Sequence, residues 1–231
     1  MKEFTHQDQQ RIWDEEHKNP LVLKQMDSQD VSSGVLAFYD FLQSQGVNQG
    51  RGLEMGCGKG RNVIWLAQKG YEMNGFDFSP AAITEARKRA SAAGVNPTFE
   101  VQDATTPWSY ESDYFDFGID CFASTDIESP EGRAHAVKEM HRVLKPSGYL
   151  LAYLLSSEDE YHKDINLNSP GPEKGSFLHP KTGKFEKTFD EQEIDELYGA
   201  FTLIEQRTLV KRTTFFEKEY ECINLWSVLQ K

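Results

Sequence analysis

From residue 51 to residue 155, short apolar runs alternate with stretches of helical periodicity. A parallel sheet crossed over by helices accommodates that rhythm best. Gly52 to Met55, Tyr71 to Phe76, Pro97 to Val101, Tyr114 to Ile119 and Tyr149 to Leu155 read as strands. Lys59 to Lys69, Pro80 to Ala93 and Glu131 to Leu144 read as helices. Ser79-Pro80 opens the second helix with a cap followed by proline. Lys145-Pro146-Ser147-Gly148 stops the third. Two further strand candidates, Phe201 to Val210 and Tyr220 to Leu229, are joined by the nine residues Lys211 to Glu219. So short a link without a helix fits an antiparallel hairpin better than a crossover. The expected class is α/β: a doubly wound, seven-stranded, mostly parallel sheet with helices on both faces and the last strand antiparallel.

The flanks differ from this core. Residues 1–49 read as an N-terminal helical arm or cap. Asp8 to His17 forms one helix, and beyond Asn19-Pro20 the residues Val31, Val35, Leu36, Phe38, Tyr39, Phe41 and Leu42 recur at helical spacing. Residues 50–231 form the main domain. Within it, residues 156–188 are rich in Gly, Pro, Asn, Ser, Lys and His. That stretch is too long for a simple connection and reads as an inserted loop or lid. Asp190 then caps a short helix reaching Tyr198.

Composition narrows the function classes. Lys plus Arg is 25 and Asp plus Glu is 37, a formal net charge of −12. Such a surface repels phosphate backbones, so no nucleic-acid partner is expected. No apolar run reaches the roughly 18 residues of a membrane span. The polar stretch Met1 to Asp14 does not read as a signal peptide, so a cytoplasmic location is expected. Cys57, Cys121 and Cys222 lie far apart, which suggests neither a metal site nor a disulfide framework.

The chemistry is written around Gly52-Leu53-Glu54-Met55-Gly56-Cys57-Gly58-Lys59-Gly60-Arg61-Asn62. A strand ends near Glu54 and a helix begins near Gly60. Gly56, Gly58 and Gly60 leave bare backbone at the carboxyl end of the strand, where open α/β sheets bind ligands. The dinucleotide fingerprint is G-x-G-x-x-G, whereas here the spacing is G-x-G-x-G. The acidic residue two positions earlier opposes a pyrophosphate but suits a cationic ammonium or sulfonium. Three further strands end in carboxylates: Asp77, Asp103 and Asp120. Asp77 is placed to take both ribose hydroxyls of an adenosine, and Asp103 to accept from an exocyclic amine. Asp120 would face the point where a methyl donor meets its acceptor.

Together with Gly75-Phe76-Asp77, Gln102-Asp103-Ala104 and Leu144-Lys145-Pro146-Ser147-Gly148-Tyr149, this segment resembles the class I, Rossmann-like, S-adenosylmethionine-dependent methyltransferases. Gly60-Arg61-Asn62, with the Trp13 region ahead of it, resembles the tellurite-resistance and thiopurine branch. The resemblance implies S-adenosylmethionine as cofactor. It implies that Gly56, Cys57, Gly58, Gly60 and Asn62 face its amino-acid part. It also implies that Asp77 meets the ribose, Phe78 packs on the adenine, and Asp103 with Ala104 borders it. The Asn/Asp-Pro-Pro-Tyr motif of amino-methylating DNA enzymes is absent after the fourth strand, against base methylation.

Methyl transfer from a sulfonium relies chiefly on alignment, and a base is needed only when the acceptor must lose a proton. Catalytic candidates are Asp120 and His162. Acceptor-contact candidates are Trp13 and His17 on the arm, Phe122 and Asp126 after the fourth strand, and Tyr161, Phe177 and His179 in the 156–188 segment. Cys121 reads as a small buried hydrophobe. The expected reaction is methyl transfer to an O, N or S atom of a small-molecule acceptor. Competing readings are a non-catalytic S-adenosylmethionine-binding regulator or scaffold, a transferase of another group of the same cofactor, and an NAD-dependent dehydrogenase, which the glycine spacing disfavours.

Overall fold

A computed structural model describes residues 4–19, 28–215 and 217–231. Pro20 of the expected break lies outside the described residues. Helix α1 (His6–Lys18) opens with a capping box, in which Thr5 caps the backbone of Asp8 and Asp8 returns the bond. Helix α2 (Ser33–Ser44) follows.

The core then runs β1 (Arg51–Met55), α3 (Arg61–Gln68), β2 (Glu72–Asp77), α4 (Pro80–Ala92), β3 (Thr98–Val101), β4 (Phe115–Cys121), α5 (Ala123–Asp126), α6 (Pro130–Val143) and β5 (Leu144–Leu155). It continues through α7 (Glu160–Asn168), β6 (Ser176–Leu178), β7 (Phe185–Lys187), α8 (Glu191–Leu197), β8 (Thr202–Phe215) and β9 (Lys218–Gln230). Seven strands form one sheet in the order β3-β2-β1-β4-β5-β9-β8. β1 pairs in parallel with both β2 and β4, so the strand order reverses there. β9 runs antiparallel to β5 and β8, as expected of the last strand.

Side-chain alternation assigns the two faces. On one, Phe38 and Leu42 of α2, Val63 and Leu66 of α3 and Ile83 of α4 pack on Phe117, Ile119 and Leu151. On the other, Val137 and Met140 of α6 and Ile194 of α8 pack on Leu53, Met55, Leu150 and Ala152. Helices therefore cover both faces.

Two expectations change. Lys211 to Glu219 is not a connector: β8 and β9 stay paired in one register from Glu205 and Val228 to Phe215 and Lys218. The alternation of exposed Thr, Lys and Arg along this edge hid a strand that is buried on neither side. The 156–188 segment, expected as a loop, holds α7 and a small antiparallel β6–β7 sheet. Asp159 caps α7 by accepting from the His162 N–H at 2.9 Å.

An ion pair fastens this segment to the core. Arg133 of α6 is 4% exposed. It donates from Nη1 to the Ile127 carbonyl at 2.7 Å and from Nη2 to the Glu173 carboxylate. Arg133→Met is expected to destabilise the protein by about 3 kcal/mol, because it strands one partner of a buried pair. Denaturant unfolding checks the magnitude, and faster amide exchange confined to residues 170–178 checks the location.

Candidate active site

The carboxyl ends of β1, β2 and β4 open into a cavity of about 1010 Å³. Glu54, on β1, pairs in register with Ile119, so it points to the face occupied by α3. There Asn62 Nδ2 donates to Glu54 Oε1 at 2.7 Å, while Asn62 Oδ1 accepts from the Ser32 N–H at 2.9 Å. The second carboxylate oxygen, Oε2, is buried without a hydrogen-bond partner among the described residues. Burial pushes the Glu54 carboxyl up to about 8, against the pull of Asn62 and Arg61.

Asp77 closes β2. Its Oδ2 accepts from the Gly58 N–H at 2.9 Å and its Oδ1 from the Ser79 N–H at 2.8 Å. Burial raises its carboxyl to about 6, with those two backbone bonds opposing. The left-handed φ of +53° at Gly58 aims this N–H at Asp77. Glu54, Gly56, Cys57, Gly58, Asn62, Asp77, Phe78, Asp103 and Ala104 all line the cavity.

Two expected members do not. Gly60 sits outside the lining as the N-cap of α3, with φ of +79°. A Cβ there would lie 2.7 Å from the Phe99 ring, so this glycine serves the close packing of turn and sheet. Asp120 pairs in register with Met55 and therefore points to the opposite face of the sheet from Glu54. It is fully buried there, accepting from the hydroxyls of Ser124 and Tyr198. The strict two-residue alternation of a strand separates Asp120 from the cavity, and it is placed as a structural anchor.

Helix α1 roofs the cavity. His6 places Nε2 at 2.6 Å from Asp103 Oδ2 and Nδ1 at 2.7 Å from Glu128 Oε1. Only an imidazolium donates both bonds. Burial lowers the His6 pKa, but the Asp103 bond and the two carboxylate charges outweigh it and raise the pKa overall. Gln9 accepts from the Phe185 N–H and donates to the Phe185 and Asp126 carbonyls, tying α1 to β7 and α5. Asp14 accepts from Ser79 Oγ at 2.7 Å and from the Ala81 N–H at 3.0 Å. Trp13 and His17 also line the cavity.

The remaining wall comes from the 156–188 segment. His162 Nδ1 lies 2.6 Å from Asp159 Oδ1, and Asp159 Oδ2 accepts from the Ile223 N–H at 2.8 Å. The fully buried carboxylate thus orients the ring and leaves Nε2 as the basic nitrogen. His179 Nδ1 accepts from the Lys181 N–H at 3.3 Å, so Nε2 carries the proton and faces Tyr161 Oη at 3.2 Å. Tyr161, His162 and His179 line the cavity, as do Phe122 and Asp126. Phe177 does not; it is buried and stacks on His162 at 5.6 Å between centroids. Asp159, Lys184 and Glu186 also line the cavity and were not legible in the sequence. Only the Asp-x-x-His spacing at 159 and 162 signalled any of them.

Residues 53–148 match the methyltransferase-domain family. A structure of an S-adenosylmethionine-dependent methyltransferase from Methanosarcina mazei superposes with a TM-score of 0.72 at 27% identity, covering 87% of this chain and 98% of that one. The chain thus carries a methyltransferase domain, in a fold similar to that of S-adenosylmethionine-dependent methyltransferases. The uncharacterized methyltransferase YodH of Bacillus subtilis is 25% identical over 173 residues, 63% of this chain and 72% of that protein. Thiocyanate methyltransferase 1 of Brassica oleracea is 30% identical over 152 residues, 64% of this chain and 58% of that protein.

The methyltransferase's cofactor is S-adenosylmethionine, and the cavity fits it. The cofactor brings an ammonium and a sulfonium. Once ionised, Glu54 would offer Oε2 as an uncommitted acceptor for that ammonium. Because burial raises the Glu54 carboxyl to about 8, a cation bound there would expel its proton. Affinity for S-adenosylmethionine is therefore expected to rise as pH climbs through the neutral range and to level off above about 8. Calorimetric titration in buffers of different ionisation enthalpy checks both the trend and the released proton.

Proposed function

We propose that this methyltransferase moves the methyl group in line to an oxygen, nitrogen or sulfur atom of a small-molecule acceptor. The observation that carries this reading is the continuity of one cavity from Glu54 and Asp77 to the Asp159–His162 pair. Its volume of about 1010 Å³ stands at the top of the range of ordinary ligand pockets, roughly 300–1,000 Å³, with room for a second molecule beside the cofactor.

In this reading Glu54, oriented by Asn62, takes the cofactor's ammonium, and the backbone of Gly56, Cys57 and Gly58 borders its amino-acid part. Asp77 takes the ribose hydroxyls. Phe78, Asp103 and Ala104 border the adenine. The sulfonium supplies an already activated methyl group, so the protein's task is alignment and exclusion of water. His162, held by Asp159, accepts the acceptor's proton. Trp13, Phe122, Tyr161 and His179 enclose the acceptor. Of the arm (1–49), the described residues 4–19 and 28–49, with the segment 156–188, close over the site in the main domain of residues 50–231.

The similarity to an enzyme named for thiocyanate supports a small acceptor. A purely regulatory binder would have no use for an oriented histidine on the cavity wall, and Glu54 stands against a nicotinamide dinucleotide. The test is transfer of isotopically labelled methyl from S-adenosylmethionine into a pool of small molecules, nucleic acids and proteins. Label on a small molecule with matching S-adenosylhomocysteine supports the reading. Label only on nucleic acid or protein contradicts it.

A further inference from the structure

We infer that the acceptor carries an anionic oxygen group, and that Lys184 with Trp13 holds it where α1 meets β7. The inference rests on the methyl-transfer reading of this same cavity and deepens it by naming the acceptor's chemistry.

Lys184 is 1% exposed, an unusual place for an ammonium. Its Nζ stands 4.1 Å from the centroid of the Trp13 ring. It has no hydrogen-bond partner among the described residues. Glu186 Oε1 lies at 3.5 Å, within reach of an ion pair without a hydrogen bond. Trp13 Nε1 is likewise buried and without a hydrogen-bond partner, and so is Thr125 Oγ1 nearby on α5. All three residues line the cavity.

Ammonium and indole N–H groups donate and cannot accept. Buried donors left unmade are costly, and native proteins satisfy them with protein, water or ligand. A partner that completes Lys184 and Trp13 must therefore be an acceptor, and a negatively charged oxygen suits a buried ammonium best. Glu54, once ionised, presents the reverse case, an uncommitted acceptor suited to a cation. The cavity thus offers unmatched acceptors at the glycine turn and unmatched donors beneath α1.

The neighbouring groups agree with this polarity. Burial first, and then the Glu186 charge, push the Asp126 carboxyl well above the usual carboxylate range, while Lys184 pulls it down. Burial lowers the His179 pKa and keeps that ring neutral. Glu186 balances Lys184, so the incoming anion meets a pair of zero net charge with its ammonium hydrogens uncommitted. An amine would meet the ammonium and the indole N–H, with Glu186, already paired to Lys184, as the carboxylate beside them. Trp13, Phe122, Tyr161 and Phe215 give the same wall flat apolar surfaces, which suit an aryl body.

Benzoate, benzamide and benzylamine serve as probes of charge at constant shape. Each is titrated into the full-length protein preloaded with S-adenosylhomocysteine, for the wild type, Lys184→Met and Lys184→Arg. Benzoate is expected to bind the wild type, to weaken about tenfold or more in Lys184→Met and to recover most of that loss in Lys184→Arg. S-Adenosylhomocysteine affinity is expected to stay unchanged in both variants, which also reports that they fold. Benzoate binding equally well to Lys184→Met, failing to bind the wild type, or being matched by benzamide or benzylamine would overturn the inference. Failure of S-adenosylhomocysteine to bind the wild type would instead remove the methyl-transfer reading beneath it.

Discussion

Glu54→Gln is expected to weaken S-adenosylmethionine binding by roughly 30-fold to several thousandfold, the loss typical of truncating one partner of a buried charge pair. The side chain keeps its size, and the glutamine carbonyl keeps the Asn62 bond, so the turn stays in place. What disappears is the negative charge that answers the ammonium. The same substitution is expected to stabilise the ligand-free protein at pH 8. The Glu54 carboxyl is raised in the fold from 4.5 to about 8. Its contribution is therefore fully favourable only below the unfolded value and is lost as pH climbs toward about 8. An amide has no such dependence. The expected pattern is a higher Tm without ligand and little or no ligand-induced rise. A variant with reduced Tm and retained ligand response would show that Glu54 serves packing alone.

His162→Ala is expected to lower kcat by about 10²–10⁴-fold with the acceptor returned by the labelled-methyl screen, the usual worth of a positioned general base. Cofactor affinity is expected to stay within a few-fold, because His162 belongs to the 156–188 wall and not to the glycine turn. Asp159 must be left intact in this test. It caps α7 and binds the Ile223 N–H on β9, so its loss would disturb the wall itself. A pH–rate profile separates base catalysis from positioning. The variant loses the limb that reports proton acceptance, whereas a merely displaced acceptor lowers the whole curve. An unchanged kcat would reassign the proton's acceptor to solvent.

The sheet was legible because its rules are local. Apolar runs, Ser79-Pro80 and the Asp190 cap each specify backbone within a few residues. Glu54 and Asp77 were legible for the same reason, sitting beside a glycine turn whose spacing is itself a signal. Asp120 was misplaced because its role depends on the pleat. One residue of register decides between cavity and core, and apolar content alone does not fix that register when the strand is buried on both faces. The packing role of Gly60 was hidden because its close approach to Phe99 is made between elements distant in sequence. Lys184 was invisible for a related reason. A lysine in a polar stretch reads as solvated, and only the closing of α1 over β7 puts it beneath Trp13. The hairpin extension beyond Val210 was hidden because an edge strand with polar side chains on both faces shows no apolar alternation.

Thermal unfolding with S-adenosylmethionine, S-adenosylhomocysteine and NAD in parallel tests the central claim most directly. A ligand present at about 100 times its Kd stabilises by about 2.7 kcal/mol, roughly 5–10 °C for a chain of this length. The account predicts a rise of that size with the first two and none with NAD. A rise with NAD alone would contradict the assignment of the glycine turn and of Glu54.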